Sequence, residues 1–256
     1  YPASCFTQRK FPCVYGFSLA ISTFVDPMTF RTGSGALNIN GALTMGANAL
    51  TISTDSDLLI GGNLGGSGTI TITQSTASTL MGVGTGQTGA LYIDDTERAR
   101  IINGWGSIVL GSTTSTGGMN VGAASWSDVL TLRSGAGVIT INGTQTMAGN
   151  NLTITADSDT AINAALTGTG TLAISGMAAG TIVGVGDGAA GAMLLSNADI
   201  ANITNGWTTI AIGTTSQTGA LNVAGSTTWN DNLLLRTSTG IINIGGTINM
   251  QANNLS

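Results

Sequence analysis

A short charged cluster holds the residue types best suited to catalysis. Its ionisable side chains lie in one segment: Asp94, Asp95, Glu97, Arg98 and Arg100. A pair of carboxylates can supply the acid and the base for glycoside hydrolysis. The matching segment further along the chain has Ser196, Asn197, Asp199, Ile200 and Asn202 instead, and surface loops often carry unpaired charge. We therefore favour a solvated turn and predict no catalytic residue.

Two Asp-Ser-Asp turns carry oxygen ligands of the type that Ca²⁺ prefers. Asp55 and Asp57 belong to the first turn, and Asp157 and Asp159 to the second. Asp side chains in turns commonly accept hydrogen bonds from nearby backbone N–H groups, so these four are weak calcium candidates. The loop Gly184–Gly188 resembles a calcium-binding glycine-rich repeat, but no nine-residue period accompanies it. We predict no bound metal and no cofactor.

Eight residues recur at equivalent places and mark a structural repeat. They are two Asn-Gly-Trp triplets and two further tryptophans: Asn103, Gly104, Trp105, Asn205, Gly206, Trp207, Trp126 and Trp229. Tryptophan rings can stack on sugars, whereas their reuse in equivalent positions favours packing against coil edges or neighbouring subunits. We expect packing, and sugar stacking remains the alternative.

The composition excludes several classes of function. The 256 residues include no His, which removes the commonest general base and metal ligand. Lys and Arg total 7 against 12 for Asp and Glu, so no basic patch is available for a nucleic-acid partner. The sequence contains no apolar run long enough to predict a transmembrane helix.

A long internal repeat sets the organisation of the chain. The stretch Thr79–Val121 returns as Thr181–Val223, at a shift of 102 positions without a gap. We infer one solenoid over residues 23–256, with copies at about 23–125 and 126–228 and a partial third copy at 229–256. A residue inserted between Val223 and Trp229 falls in a stretch rich in Gly, Ser and Thr, where a loop would absorb it.

Short apolar-x-apolar bursts within each copy predict the fold. Leu37–Ile39, Leu50–Ile52 and Ile70–Ile72 alternate as strands with one buried face do, and Gly, Asn, Asp and Ser separate them. Three such strands with turns make a coil of about 20 residues, so the pattern favours an all-β parallel β-solenoid. Low charge fits this fold, because stacked like charges are destabilising while stacked Thr, Asn and Ser can hydrogen-bond to each other.

Residues 1–22 differ from the rest, and we interpret them as an atypical N-terminal cap or linker. The apolar run from Val14 to Ile21 faintly resembles a signal peptide, but it is short and has no clear cleavage site. Cys5 and Cys13 could pair in an exported protein or remain as two free thiols.

Several motifs of the repeat resemble those of giant bacterial exoproteins of the filamentous-haemagglutinin type. They are Gly184–Gly188, Leu195–Ile200, Asn205–Trp207, Ile210–Gly213, Trp229–Asp231 and the strand entry Phe24–Thr29. The resemblance covers about residues 23–256. It implies a right-handed parallel β-helix, secretion across the outer envelope, and a role as a surface fibre or adhesin.

The sequence therefore predicts a non-enzymatic structural module of an extracellular or cell-surface fibre, sheath or adhesin. Open strand edges at the ends of a solenoid need capping or another chain, so we expect subunits to stack end to end. The alternatives are a polysaccharide lyase or hydrolase that uses the charged cluster, and a glycan-binding module on the same scaffold. A surface glycan or receptor is the other expected partner.

Overall fold

A computed structural model describes residues 17–19 and 21–256 of the chain. The described part is nearly all β, and its parallel strands stack into a β-solenoid of about 11 turns. The all-β solenoid predicted from the sequence is therefore confirmed. Cys5, Cys13 and most of the predicted cap at residues 1–22 lie outside the described residues.

Short strands and two single helical turns follow one another along the chain. The first half contains β1 (Phe17–Leu19), β2 (Ser22–Thr23), β3 (Met28–Arg31), β4 (Leu37–Ile39), β5 (Leu43–Thr44), β6 (Leu50–Ser53), β7 (Leu58–Ile60), β8 (Leu64–Gly65), β9 (Thr69–Thr73), β10 (Met81–Val83), β11 (Leu91–Ile93), α1 (Asp95–Arg98), β12 (Ser107–Ser112), β13 (Met119–Val121) and β14 (Ala124–Ser125). The second half contains β15 (Leu130–Ser134), β16 (Ile139–Ile141), β17 (Gln145–Thr146), β18 (Leu152–Thr155), β19 (Thr160–Ile162), β20 (Leu166–Thr167), β21 (Thr171–Ser175), β22 (Val183–Val185), β23 (Met193–Leu195), α2 (Asn197–Ala201), β24 (Thr209–Ile212), β25 (Leu221–Val223), β26 (Ser226–Thr228), β27 (Leu233–Leu235), β28 (Ile242–Ile244) and β29 (Thr247–Asn249).

Each regular turn of the solenoid contributes one strand to each of three faces. The long sheet is continuous, and its nine strands follow the order β27-β24-β21-β18-β15-β12-β9-β6-β3. The second face consists of three blocks: β1-β4-β7, then β11-β10-β13-β16-β19, then β23-β22-β25-β28. The third face carries shorter strands in the blocks β2-β5-β8, β14-β17-β20 and β26-β29.

The core is built from apolar residues at alternate positions of the strands. In the long sheet Leu50 pairs in register with Ile70, and Leu130 pairs with Leu152, so buried residues form columns along the axis. Burial of each such side chain contributes about 1.5–3 kcal/mol relative to exposure. The position between two buried residues points outward and is often Thr, whose β-branched side chain suits a strand.

Polar residues also stack from turn to turn. Asn163 Nδ2 donates to Asn142 Oδ1 at 3.2 Å, and Asn243 Nδ2 donates to Asn222 Oδ1 at 2.8 Å. Thr32 Oγ1 donates to Thr54 Oγ1 at 2.8 Å, and both side chains are buried. These ladders are the hydrogen-bonded columns expected from the low charge of the chain.

Two turns are longer than the others and contain an extra strand. Hydrogen-bonded partners on neighbouring regular turns lie 20 to 22 positions apart, whereas Thr69 and Ser107, paired across β9 and β12, lie 38 apart. After β9 the chain forms β10, and the next strand, β11, pairs parallel to β10 on the side away from β13. As a result β10 lies between β11 and β13. The same order occurs at β22, which lies between β23 and β25. This arrangement was not predicted from the sequence.

Strand pairing already begins within the segment predicted as a cap. The backbone of β1 pairs with β4 in the register Phe17 with Leu37.

At the predicted one-residue insertion near the start of the third copy, Gly225 lies in the loop before β26 with a φ of 65°. Since glycine tolerates this left-handed conformation, the loop can accommodate the residue inserted between Val223 and Trp229.

Candidate functional site

The charged cluster forms a single helical turn at a corner of the solenoid. The side chain of Asp94 caps α1 by accepting from Glu97 N, and the Glu97 side chain accepts from Asp94 N, which is a capping box. Ser196 and Asp199 form the same box at α2. The first turn of chain after β11 and the first turn after β23 are therefore held by the same device.

Glu97 and Asp199 are buried carboxylates that bind backbone from an earlier turn. Glu97 Oε1 accepts from Ile60 N at 3.3 Å, and Asp199 Oδ1 accepts from Ile162 N at 2.6 Å. Among the described strands, β7 contacts β11, and β19 contacts β23, without forming a ladder. Each carboxylate therefore supplies a hydrogen-bond acceptor where the ladder is interrupted.

This geometry corrects the interpretation of the cluster as a purely solvated turn. Glu97 is buried, and the second copy retains a carboxylate at the equivalent position, Asp199. Burial raises the pKa of Glu97, despite the hydrogen bonds from Asp94 and Ile60 that favour its charged form. The acid group of Glu97 is thus committed to backbone donors of its own chain.

The exposed part of the cluster is hydrogen-bonded to a nearby glycine-rich loop. In the first copy Asp95 Oδ2 accepts from Thr85 N at 3.3 Å, and hydrogen bonding to Thr85 lowers the pKa of Asp95. In the second copy the carboxylate lies on the loop, where Asp187 Oδ1 accepts from Asn197 N at 3.0 Å. The loop and the helical turn are bridged by one carboxylate in both copies.

The first Asp of each calcium-candidate turn fastens the next turn of the solenoid. Asp55 accepts from Ser75 N at 2.9 Å, Thr76 N at 2.8 Å and Thr79 Oγ1 at 2.8 Å. Asp157 accepts from Ala178 N at 2.7 Å. Burial alone would raise the pKa of Asp55, but its hydrogen bonds outweigh that effect and lower it.

The second Asp of each candidate turn, Asp57 or Asp159, is exposed. Asp159 Oδ1 also accepts from Thr160 N at 2.9 Å. Within residues 17–19 and 21–256, no three His, Cys, Asp or Glu side chains are grouped so as to hold a metal ion. The prediction that these weak calcium candidates hold no metal stays untested.

The four repeated tryptophans are buried within the chain. Trp105 Nε1 donates to Leu64 O at 3.1 Å and Trp207 Nε1 donates to Leu166 O at 3.2 Å. Trp126 and Trp229 donate to side chains, Gln145 Oε1 at 2.9 Å and Thr227 Oγ1 at 3.1 Å respectively. Rings with these internal partners contribute to packing.

The Asn-Gly pairs before Trp105 and Trp207 form a turn that requires glycine. Gly104 and Gly206 have φ of 124° and 134°, a region that L side chains rarely adopt. Their N–H groups donate to Asp128 Oδ1 at 3.0 Å and Asp231 Oδ1 at 2.9 Å. Asn103 precedes Gly104 and is exposed, and Asn205 precedes Gly206 and is exposed too. The role of the two aspartates as acceptors was not predicted from the sequence.

A cleft of about 380 Å³ opens on the third face beside the charged cluster. It lies between two successive passes of the chain, and Arg98, Ile102, Trp126 and Asp128 are among its lining residues. Arg98 Nη1 donates to Ser125 O at 3.1 Å, Nη2 pairs with Asp95 Oδ1 at 3.3 Å, and the guanidinium lies 5.5 Å from the Trp126 ring centroid. Arg98 and Trp126 were singled out separately in the sequence, and their contact was not predicted.

Within the described residues, no helix has the length and apolar character needed to cross a bilayer. No protein-family model, curated protein or solved structure matches the chain.

Proposed function

We propose that this chain is a structural β-solenoid segment of an extracellular fibre, sheath or adhesin. The observation that carries the proposal is the long sheet, in which nine strands pair continuously in register. Each strand is hydrogen-bonded on both sides except at the two ends, so the stack resists bending and extension as one body. The proposal includes no catalytic residue, because the carboxylates of the charged cluster bind donors of their own chain.

Repeating units of about 102 residues would set the length of such a fibre. In support, β3 and β15 begin at Met28 and Leu130, and β11 and β23 begin at Leu91 and Met193, so both pairs have the same offset. The extra strand and the helical turn recur at that offset too. A right-handed coil and an extracellular location rest on the resemblance to filamentous-haemagglutinin-type exoproteins.

Self-association along the axis is the second part of the proposal. Ile242 and Ile244 are 38% and 55% exposed, whereas Leu221 and Val223, their partners on the preceding turn, are buried. An additional turn stacked on β28 would cover both isoleucines and pair the free strand edge. We propose that another copy can supply that turn to the 256-residue chain.

Sedimentation velocity over a range of concentrations tests the self-association. We expect the double variant Ile242→Ser, Ile244→Ser to shift the protein toward the monomer, because it removes apolar area from the contact. The matched control is Leu59→Ser, since Leu59 is 47% exposed on the outer side of β7, a strand far from this end of the stack. Equal sedimentation of the wild type and the double variant at all concentrations would refute stacking through this end.

A further inference from the structure

The cleft beside Arg98 has the construction of a small binding site. Its volume of about 380 Å³ falls in the range of ligand pockets in proteins. We propose that it binds one or two residues of a neutral glycan. This inference concerns a separate site and does not depend on whether the solenoid forms fibres.

The walls of the cleft are apolar on one side and formed by a guanidinium on the other. Ile102 is 40% exposed and Ile101 is half-buried on the first side, and on the second the guanidinium of Arg98 lies over the ring of Trp126, which is itself 5% exposed. The C–H faces of a sugar ring can pack between such surfaces. Polar groups line the same cleft, where Asn103 and Asp128 offer an amide and a carboxylate to hydroxyl groups.

The charges of the cleft favour a neutral ligand over an acidic one. The positive charge of Arg98 is already paired with Asp95 at 3.3 Å, and Nη1 is committed to Ser125 O. Asp128 adds a carboxylate that accepts from Gly104 N through Oδ1. A uronate would meet this carboxylate without a free cation beside it, whereas a sugar hydroxyl could donate to it.

The second copy of the repeat has lost the features that open the cleft. Ile200 replaces Arg98 and is 5% exposed, and Ile203, which corresponds to Ile101, is also 5% exposed. Asp231 corresponds to Asp128 and is buried to the same degree, 6% against 7% exposed, and its Oδ2 has no hydrogen-bond partner in the described part of the chain. Ile200 and Ile203 thus make the second copy a more closed version of the same corner, which provides an internal control.

The test is a titration of the full chain with lactose, cellobiose, N,N′-diacetylchitobiose and digalacturonic acid. Binding is measured by isothermal titration calorimetry and by tryptophan fluorescence. We expect saturable binding of at least one neutral disaccharide and binding of digalacturonic acid at least about tenfold weaker. Asp128→Asn keeps an oxygen for Gly104 N–H but removes the charge, and we expect it to weaken binding about tenfold or more. Arg98→Ile, which introduces the residue of the second copy, should abolish binding.

Asp231→Asn is the matched control and should leave the affinity unchanged. The thermal unfolding of each variant is recorded to establish that it is folded. The proposal is overturned if no neutral disaccharide binds saturably, if digalacturonic acid binds as tightly as the neutral sugars, or if Asp128→Asn and Asp231→Asn have the same effect on affinity. None of these results bears on self-association, so the two proposals fail independently.

Discussion

The side chain of Glu97 accepts a hydrogen bond from the backbone N–H of Ile60, 3.3 Å away and 37 positions earlier in the chain. Ile60 ends β7 at the point where the second face is interrupted. The capping box of α1 fixes the carboxylate, so one residue both ends a turn and joins two blocks of strands. Asp199 and Ile162 repeat the arrangement. The solenoid therefore tolerates an inserted strand because a buried acid replaces part of the missing ladder.

Removal of this acid should destabilise the fold. Glu97→Ala leaves the N–H groups of Asp94 and Ile60 without their acceptor, and we expect a loss of about 1–3 kcal/mol in the free energy of unfolding. Glu97→Gln keeps one acceptor oxygen and should lose less. Thr96→Ala, an exposed change in the same turn, is the control. Urea unfolding in which Glu97→Ala and Thr96→Ala are indistinguishable would contradict the role of Glu97.

The raised pKa of Glu97 predicts how its contribution depends on pH. The folded state holds the proton more tightly than the unfolded state, so the contribution is largest at low pH and falls as pH rises from about 4.5 through the raised value. We expect the wild type to lose free energy of unfolding relative to Glu97→Gln between pH 4 and pH 7. A constant difference between the two proteins across this range would contradict the raised pKa.

The tryptophan rings of the Asn-Gly-Trp triplets pack closely on two glycines of earlier turns, and a larger residue there would overlap the ring. A Cβ at Gly66 would lie 2.8 Å from the Trp105 ring, and one at Gly168 would lie 2.6 Å from the Trp207 ring. We expect Gly66→Ala and Gly168→Ala each to cost about 1–3 kcal/mol through overpacking. Gly33→Ala, where a Cβ has no atom within 4 Å, is the control. Near-ultraviolet circular dichroism and chemical unfolding measure the effect, and wild-type behaviour of both variants would argue against this packing.

Asp55 should stabilise the fold only while it is charged. Its pKa is lowered from 3.8 in the folded state, so on acidification the unfolded state binds the proton at a higher pH than the folded state does. The contribution of Asp55 to the free energy of unfolding therefore disappears as pH falls below about 4. We expect Asp55→Asn to cost about 0.5–1.5 kcal/mol at neutral pH and nothing at pH well below the lowered value. The control is Asp57→Asn in the same turn. Thermal unfolding from pH 7 to pH 2.5 would contradict the account if the cost of Asp55→Asn did not shrink.

Much of the fold could be predicted because it depends on local patterns. Alternation within Leu37–Ile39 and Leu50–Ile52 predicts strands, and the repeated spacing predicts that they stack. The polar ladders, such as Asn163 on Asn142, follow from the same stacking. These features need only residue type and period, which one sequence provides.

The remaining features depend on contacts between distant residues. The role of Glu97 depends on Ile60, and its counterpart Asp199 differs in residue type, so comparison of identities alone does not reveal the shared acid. The pairing of β11 beside β10 leaves no periodic signal, because both strands have apolar residues at their first and third positions, as other strands of the repeat do. The cleft arises from this irregular turn, and for that reason it too was missed.

The most direct test of the central claim is electron microscopy of the purified protein in negative stain and in vitreous ice. A structural solenoid that stacks end to end predicts uniform, unbranched thin filaments, with layers about 4.8 Å apart along the axis. Filaments should become shorter or disappear with Ile242→Ser, Ile244→Ser and persist with Leu59→Ser. Single compact particles of the wild type at every concentration would contradict the claim that this chain builds a fibre.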